Sequence, residues 1–413
     1  MSNLSQSPIW AWLKAEQNRQ NDHLELIASE NYVHEDILKL QGSILTNKYA
    51  EGYPGKRYYG GCQYVDCIET YAIEQLCQIF NVSYANVQPH SGSSANLAAL
   101  HALIKPGDKI MGLSLLEGGH LTHGSPVNFS GLWYTAGSYH LSSEGLLDYD
   151  LIMEQAMQFQ PKVLIAGYSA YSRTIDWVAF RKIADQVGAY LLADISHISG
   201  LIATGLHPSP AGYADVITST THKTLRGPRG GVIMTNREDL SKKINSAIFP
   251  GTQGGPLLHV IAAKARCFEL CQESTFFTYQ KQILLNAQAL SERLQHHGLK
   301  IISGGTDNHL LLISLADFEF TGLDLQRALE RANITTNRNT IPGEKRSPQL
   351  TSGLRIGSPA LTTRGFKEKE MVMIADWIAD AIKNNCDPMV IADIGVKVAQ
   401  LCHEIPLTRP WFV

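Results

Sequence analysis

Residues 189–235 read AYLLADISHISGLIATGLHPSPAGYADVITSTTHKTLRGPRGGVIMT, and this stretch decides the fold. It contains three short apolar runs, at 189–193, 214–219 and 231–235, each bounded by polar or glycine residues, as strands commonly are. Nearly continuous apolar strands are typical of a parallel sheet whose two faces are both covered by helices. The stretch therefore predicts an α/β domain with a mainly parallel central sheet.

The alternation of predicted strands and helices also covers the residues before this stretch, and a different order of elements follows it. Strand candidates at 109–113 and 162–168 alternate with helical stretches, so the α/β pattern covers about residues 65–235. A long helix is predicted over 256–295, with a break near Ser274. Beyond it we predict strands at 300–302, 309–315 and 354–356 and helices at 323–332, 366–382 and 389–403. We therefore expect an N-terminal arm (1–60), a large domain (61–273) and a smaller α+β domain (274–413).

The bulk composition points to a small-molecule partner. The chain has 413 residues, more than the about 250–300 that one hydrophobic core supports. A net charge of -3 gives no field that would attract nucleic acid or an anionic membrane. Seven cysteines without a C-x-x-C pair fit neither a disulfide framework nor a zinc site. Because the first residues also lack the order of a secretion signal, we expect a cytoplasmic protein.

Three chemically useful residues follow the predicted strands, where ligands of such sheets bind. Lys223 could join a carbonyl cofactor if burial or a neighbouring cation lowered its pKa. Asp194 could hold the ring nitrogen of a pyridoxal cofactor or could simply cap the next helix. His197 could reach the same pocket or could be an ordinary core histidine.

Three further stretches carry candidate ligands. Small residues at 88–96 precede a helical run and predict an anion site or a plain helix cap. His120 could stack on an aromatic cofactor. We reject a metal at His120 and His123 because nothing nearby in sequence supplies a third ligand. Arg355 lies inside an apolar strand, where it would pair with a substrate carboxylate or form an internal salt bridge.

Four segments together resemble the serine hydroxymethyltransferase family: LIASEN at 26–31, LTNKYAEGYPGKRYYGG at 45–61, TTHKTLRGPRGG at 220–231 and FPGTQGGP at 249–256. The similarity runs over essentially the whole chain. It implies a fold-type I pyridoxal-phosphate transferase that reversibly moves the hydroxymethyl carbon of serine to tetrahydrofolate, giving glycine and 5,10-methylenetetrahydrofolate. It also implies a homodimer, or a tetramer built from such dimers, whose active sites are completed by the neighbouring subunit.

The resemblance implies a role for each matching position around the cofactor. Lys223 resembles the Schiff-base lysine, Asp194 the partner of the ring nitrogen, and His120 the ring that stacks on the cofactor. The phosphate, the phenolic oxygen and neighbouring groups would be contacted by Ser91, Gly92, Ser93, Ser169 and His197, joined by Tyr49 and Gly254 of the other subunit.

It also implies substrate and folate contacts. Ser29 and Arg355 resemble the binders of the substrate carboxylate. Glu51 and Tyr59, again from the other subunit, resemble the acid/base group near the serine hydroxyl and its companion. The expected folate contacts are Leu115, Gly119, Leu121 and Ser347.

This chain departs from the family pattern near the folate region. Leu116 and Glu117 replace an Ala-His or Ser-His pair, and Gln349 replaces a phenylalanine. An alternative function therefore stays open: a folate-poor paralogue acting as a β-hydroxy-amino-acid aldolase, a transaldolase or a hydroxymethyltransferase for a substituted serine. A non-catalytic binding protein ranks last, because Lys223, Asp194, Arg355 and Glu51 are all retained.

Overall fold

The computed structural model describes residues 7–407. Its strands, in chain order, are β1 (Leu24–Glu25), β2 (Gly52–Tyr53), β3 (Lys56–Arg57), β4 (Tyr84–Asn86), β5 (Lys109–Leu113), β6 (Thr135–Tyr139), β7 (Val163–Ala166), β8 (Tyr190–Asp194), β9 (Val216–Thr220), β10 (Gly231–Thr235), β11 (Leu310–Ser314), β12 (Ile334–Thr335), β13 (Asn337–Asn339) and β14 (Gly353–Gly357).

The α-helices, in chain order, are α1 (Pro8–Asp22), α2 (Glu35–Gln41), α3 (Gln63–Phe80), α4 (Gly92–Leu103), α5 (Phe129–Trp133), α6 (Tyr149–Phe159), α7 (Trp177–Val187), α8 (Ser199–Ala203), α9 (Glu238–Ser246), α10 (Leu258–Cys271), α11 (Ser274–His296), α12 (Gly322–Arg331), α13 (Pro359–Arg364), α14 (Glu368–Lys383) and α15 (Pro388–Glu404). Within the described chain, no helix is both long enough and apolar enough to cross a bilayer.

A seven-stranded sheet with the order β4-β10-β9-β8-β7-β5-β6 forms the centre of the molecule. The strands from β9 to β6 run parallel, while β10 and β4 are antiparallel to their neighbours. Apolar clusters cover both faces of the sheet, because successive side chains of its buried strands point to opposite sides. The predicted fold class, a mainly parallel sheet with helices on both faces, is therefore confirmed.

The predicted strands differ from the observed ones in a few places. The strands at 109–113 and 231–235 are confirmed to the residue, and the helix break near Ser274 separates α10 from α11. The strand at 300–302 is wrong: Ile301 makes a single bridge to Ile313, and a 3₁₀ turn follows at Ile302–Gly304. The sequence reading also missed β4 and β6. β6 is an edge strand whose residues are mostly exposed, so it lacks an apolar run.

A second apolar core lies in the C-terminal part of the chain. It is built on the three-stranded antiparallel sheet β11-β14-β13 and on α11, α12, α14 and α15. Leu24 and Leu26 also belong to this core, because β1 pairs in parallel with β12. The proposed boundaries of 1–60, 61–273 and 274–413 stay a proposal, and their outermost ends, 1–6 and 408–413, lie outside the described residues.

One buried lysine ties the sheet to the turn that precedes α4. Lys264 of α10 is 1% exposed, and its Nζ donates to the carbonyls of Val87 (2.7 Å), Pro89 (3.0 Å) and Gly231 (2.8 Å). Burial lowers its pKa to about 7, yet three acceptors match the three N–H groups of the charged amine. The ammonium therefore holds the end of β4, the following turn and the start of β10 as one unit.

We expect Lys264→Met to destabilise the cofactor-free protein by about 3–5 kcal/mol, because three enclosed carbonyls would lose their donor. Urea unfolding followed by tryptophan fluorescence measures this loss. Lys242→Met is the matched control, since Lys242 is 75% exposed and pairs only with Glu238 of its own helix; its effect should stay within about 0.5 kcal/mol. Equal effects of the two substitutions would contradict the structural role of Lys264.

Candidate active site

A cavity of about 420 Å³ opens at the carboxyl edge of the central sheet. This edge was the predicted ligand position. The cavity is lined by the predicted residues Ser29, Ser91, Gly92, Ser93, His120, Ser169, Asp194, His197, Lys223 and Arg355. It is also lined by Glu30, His123, Tyr168, Ser196, Thr220, His222 and Arg229, which the sequence reading did not assign to the site. The structure thus brings together residues that are up to 326 positions apart in the chain.

Lys223 reaches this cavity from the turn after β9. Its side chain is enclosed, and within the described chain its amine has no hydrogen-bond or ion-pair partner. Burial lowers the pKa of Lys223 to about 8; the charge of Asp194 opposes the shift, and Arg355 and Arg229 add to it. The backbone carbonyl of Lys223 accepts a hydrogen bond from Nδ2 of Asn31 (3.0 Å). The lysine is therefore held in place and partly uncharged near neutral pH.

Asp194, at the end of β8, is an enclosed carboxylate held by four donors. Oδ2 accepts from Nδ2 of Asn96 (2.8 Å) and Nε2 of His123 (3.0 Å). Oδ1 accepts from the backbone N–H (3.1 Å) and hydroxyl (2.5 Å) of Ser196. Burial alone would raise the pKa of Asp194, but the hydrogen bonds from His123 and Ser196 hold it well below the usual range. The cavity therefore contains a fixed negative charge.

The predicted anion site is the N-terminus of α4, a helix of 12 residues. Ser91 and Ser94 form a reciprocal capping box: Oγ of Ser91 accepts from the Ser94 N–H (3.2 Å), and Oγ of Ser94 accepts from the Ser91 N–H (2.8 Å). A Cβ on Gly231 would lie 2.2 Å from the carbonyl oxygen of Ser91, so β10 can approach this turn only through a glycine. The helix cap is therefore confirmed, and an anion site at the same residues stays a prediction.

His120 and His123 do have a third candidate metal ligand close to them, contrary to the expectation from the sequence. His120, His123 and Asp194 present ligand atoms within 4.8 Å of one another, so a third ligand does exist, 71 residues from His123. Nε2 of His123 and Oδ2 of Asp194 are already hydrogen-bonded to each other. Nδ1 of His120 is paired with the Thr122 hydroxyl (2.7 Å). Burial lowers the pKa of His120 to about 4, so its ring is neutral.

Arg355, on the central strand of the small sheet, reaches across to the large sheet. Its Nε donates to Oδ1 of Asn337 (3.0 Å) and its Nη1 to the carbonyl of Ser169 (2.6 Å). Within residues 7–407 no carboxylate forms an ion pair with it, so the internal salt bridge considered from the sequence is wrong. Burial lowers its pKa to about 10. A buried guanidinium that lacks a carboxylate and lines a cavity is ready to receive one from a ligand.

The residues expected to serve the neighbouring subunit form a separate cluster. The Tyr49 hydroxyl donates to Oε1 of Glu51 (3.1 Å), and the Tyr49 and Tyr59 rings lie 4.9 Å apart. A Cβ on Gly254 would lie 3.2 Å from Oε1 of Glu51. None of these four residues lines the cavity of its own chain.

Comparison with known proteins agrees with this geometry. The sequence model described as "Serine hydroxymethyltransferase" matches residues 3–378. A serine hydroxymethyltransferase of Halorhodospira halophila is 55% identical over 96% of both chains. One of Legionella pneumophila (strain Corby) is 56% identical over 95% of this chain and 94% of its own. Serine hydroxymethyltransferase 2 of Pseudomonas syringae pv. syringae is 56% identical over 96% of both chains.

The chain belongs to the serine hydroxymethyltransferase family. Members of this family have the fold-type I architecture and use pyridoxal phosphate, with tetrahydrofolate as co-substrate. The residues of the cavity fit that cofactor. Lys223 offers an amine without a partner, Asp194 a charged acceptor, and the N-terminus of α4 a site for a phosphate. These groups would hold the aldehyde, the ring nitrogen and the phosphate.

Of the four residues that resemble folate contacts, three are exposed and Gly119 is buried. Leu115 and Leu121 are 42% and 46% exposed, and Ser347 is also exposed. A Cβ on Gly119 would lie 2.1 Å from the carbonyl of Leu113, so this turn requires glycine. Glu117, which replaces a family histidine, accepts from the Leu141 N–H (2.8 Å) and pairs with Nδ1 of His140 (3.2 Å).

Four supporting residues were missed from the sequence: Asn31, Asn96, Lys264 and His309. Asn31, Asn96 and His309 contact Lys223, Asp194 and His197, each on another element, whereas Lys264 contacts the turn before α4. No local pattern marks these roles, although the stretches 26–31 and 88–96 contain Asn31 and Asn96. The one available signal, for Asn96 of α4 and Lys264 of α10, was a polar residue inside an otherwise apolar helical segment. Buried polar groups of that kind require partners.

The lowered pKa of Lys223 predicts unusual reactivity in the cofactor-free protein. At pH 8 about half of its amine should be uncharged, and acylation by acetic anhydride should rise with a midpoint near pH 8. Peptide mapping by mass spectrometry measures the rate at each pH. Lys242 is the control, because its hydrogen bond to Glu238 raises its pKa. A Lys223 profile that followed Lys242 would refute the electrostatic account.

Proposed function

We propose that this protein catalyses the reversible transfer of the serine hydroxymethyl carbon to tetrahydrofolate, with Lys223 as the cofactor-bearing lysine. The observation that carries the proposal is a single cavity that holds an unpaired lysine amine, an ionised aspartate and an arginine without a carboxylate. Family membership and the names of relatives support the reaction. Nothing observed favours the aldolase or transaldolase alternative.

Pyridoxal phosphate, when bound, supplies a carbonyl that an amine can join and a ring that withdraws electrons from the bond being broken. The side chains of the protein would bind this cofactor, orient it and hold its protons. Lys223 offers an amine that is partly uncharged near neutral pH and can therefore act as a nucleophile. Asp194 stays ionised and would hold a proton on the ring nitrogen. His120, a neutral and largely enclosed ring, would cover one face of the cofactor.

Substrate orientation falls to Arg355 and Ser29. Arg355 already uses Nε and Nη1 on Asn337 and Ser169, which fixes the guanidinium while Nη2 remains without a described partner. A carboxylate bound there would be oriented by a rigid, charged donor. Fixing the carboxylate sets the angle of the Cα–Cβ bond, and positioning of this kind contributes much of the rate of an enzyme.

Proton handling at the serine hydroxyl is proposed for Glu51 and Tyr59 of a second copy. These residues lie outside their own cavity. Exposed apolar surface around them supports a homodimer: Ile44 is 84% exposed, Tyr58 76% and Tyr64 76%, far from the usual burial of such side chains. α1 has no buried residue, and its Trp10 and Trp12 are half or more exposed. A tetramer built from two such dimers and a cytoplasmic location remain part of the proposal.

Removing either cavity cation should have a distinct effect. Lys223→Ala should abolish turnover and the yellow colour of the purified protein. Arg355→Ala should leave the colour and raise the KM for serine by about 30- to 150-fold, the loss of one charged pair of about 2–3 kcal/mol. Absorbance spectra and tetrahydrofolate-dependent cleavage of serine measure both effects. A near-normal KM in Arg355→Ala would remove this residue from the substrate site.

Mixed dimers test the shared site. Lys223→Ala and Glu51→Gln should each be nearly inactive alone, with cofactor still bound in Glu51→Gln. After refolding together they should recover about a quarter of wild-type activity, because half of the dimers are mixed and each of these has one intact site. Lys223→Ala mixed with Arg355→Ala, assayed at serine well below the raised KM, is the control and should gain nothing over the two unmixed variants, since both residues come from the same chain. Recovery in the control, or none with Glu51→Gln, would refute the arrangement.

A further inference from the structure

Two histidines meet where the two cores adjoin. His197 follows β8 of the large sheet, and His309 directly precedes β11 of the small sheet. Nδ1 of His197 lies 3.2 Å from Nε2 of His309. The ring centroids are 5.4 Å apart and the planes are inclined by 24°. With so short an N–N contact, that centroid separation requires the rings to meet edge to edge, so the two nitrogens point at each other.

Both rings are neutral. They are buried, and within the described chain neither forms an ion pair with a carboxylate. The groups that face them are Lys223, Arg355, His120 and His207, either cations or other imidazoles. Burial, with the charges of Arg355 and Lys223, lowers the pKa of His309 to about 3, and burial with the charges of Lys223 and Arg355 holds the pKa of His197 well below its usual value.

A hydrogen bond between two neutral imidazoles needs one donor and one acceptor, so only two arrangements exist. If His197 donated from Nδ1, His309 would carry its proton on Nδ1, which is enclosed and has no partner in the described chain. If His309 donates from Nε2, its Nδ1 is a bare lone pair. Among backbone groups, orphaned buried N–H donors are rarer than under-satisfied acceptors, and by the same preference the second arrangement is favoured.

We propose that His309 is a positioning residue that fixes His197 as the Nε2–H tautomer, so that His197 presents a hydrogen-bond donor to the cavity. Nδ1 of His197 is then an acceptor, and its Nε2, which has no described protein partner, carries the proton towards the ligand. A lone pair in that place would repel the oxygen of an anionic cofactor or substrate. This inference rests on the proposed function only for the identity of the group that receives the donor.

The arrangement also links the small sheet to the chemistry. Asn308, the residue before His309, donates from Nδ2 to the carbonyl of Tyr171 (3.1 Å). The backbone N–H of Ser358, which directly follows β14, donates to the carbonyl of His309 (3.0 Å). The imidazole is therefore anchored on both sides, and the tautomer of His197 depends on the small sheet staying docked against the large one.

Protein labelled with [¹⁵N]histidine tests the proposal without cofactor. The His197 signals are assigned by their loss in His197→Asn, and the nitrogen shifts report which atom carries the proton. We expect the Nε2–H form in the wild type and in His309→Gln, whose amide N–H can replace the donor. In His309→Leu we expect a mixture of tautomers. A wild-type His197 protonated on Nδ1, or an unchanged tautomer in His309→Leu, would overturn the proposal.

The cofactor-loaded protein gives a second readout. Loss of the donor in His309→Leu should shift the pH midpoint of the bound-cofactor absorbance upward by about 0.5–1 unit, with rescue in His309→Gln. His207→Leu is the matched control: it removes another buried imidazole, which bonds the carbonyl of Pro208 and does not line the cavity. An equal shift in His207→Leu would indicate a merely structural effect and overturn the proposal.

The two hypotheses fail in different ways. If the wild type bound no pyridoxal phosphate, the proposed function would fall while the tautomer measured in cofactor-free protein would stand. If the wild type bound cofactor and cleaved serine but His197 carried its proton on Nδ1, the role of His309 would fall alone. Should His309→Leu not fold, the wild-type tautomer by itself still decides.

Discussion

Keeping a carboxylate ionised inside the protein is the constraint on which the rest of the site depends. An enclosed charge is costly unless it is paired and hydrogen-bonded. Asp194 meets this requirement with donors from three separate elements: Asn96 of α4, His123 of the turn after β5 and Ser196 of the turn after β8. The Thr122 hydroxyl, which accepts from the same Asn96 amide, connects this set to His120. The same network therefore fixes the helix that would bind a phosphate and the ring that would cover a cofactor.

Positively charged side chains outnumber negatively charged ones in the lining of the cavity. Lys223 and Arg355 are both enclosed there and Arg229 also lines the cavity, against the carboxylates of Asp194 and Glu30. Such an excess of positive charge lowers the pKa of the lysine and favours ligands with several negative groups. A phosphorylated cofactor together with an amino-acid carboxylate supplies that charge. The charges that line the cavity thus fit the class of molecule that the family uses.

The sequence predicted the parts of this structure that are encoded locally. The strands at 109–113 and 231–235 were predicted to the residue because their apolar runs end abruptly. Asp194 was singled out because it directly follows the run at 189–193, and Lys223 because it lies four positions after the run at 214–219. The edge strand β6 was missed because it lacks an apolar run. Residues 300–302 were wrongly predicted as a strand because two of the three are apolar, although only Ile301 forms a bridge to another strand. The network around Asp194, and His309 above all, joins residues about 70 to 110 positions apart. Only the folded topology brings them together. For the same reason, the sequence wrongly indicated that His120 and His123 have no third candidate metal ligand near them.

The ammonium of Lys264 has a consequence for how the protein is made. It joins carbonyls that precede it by 177, 175 and 33 residues. A nascent chain that has emerged from the ribosome only as far as β10 already contains the turn before α4, yet it lacks the cation that secures this turn. The turn that would hold a phosphate is therefore secured only once α10 has been made, and a fragment truncated before this helix would lack these three hydrogen bonds.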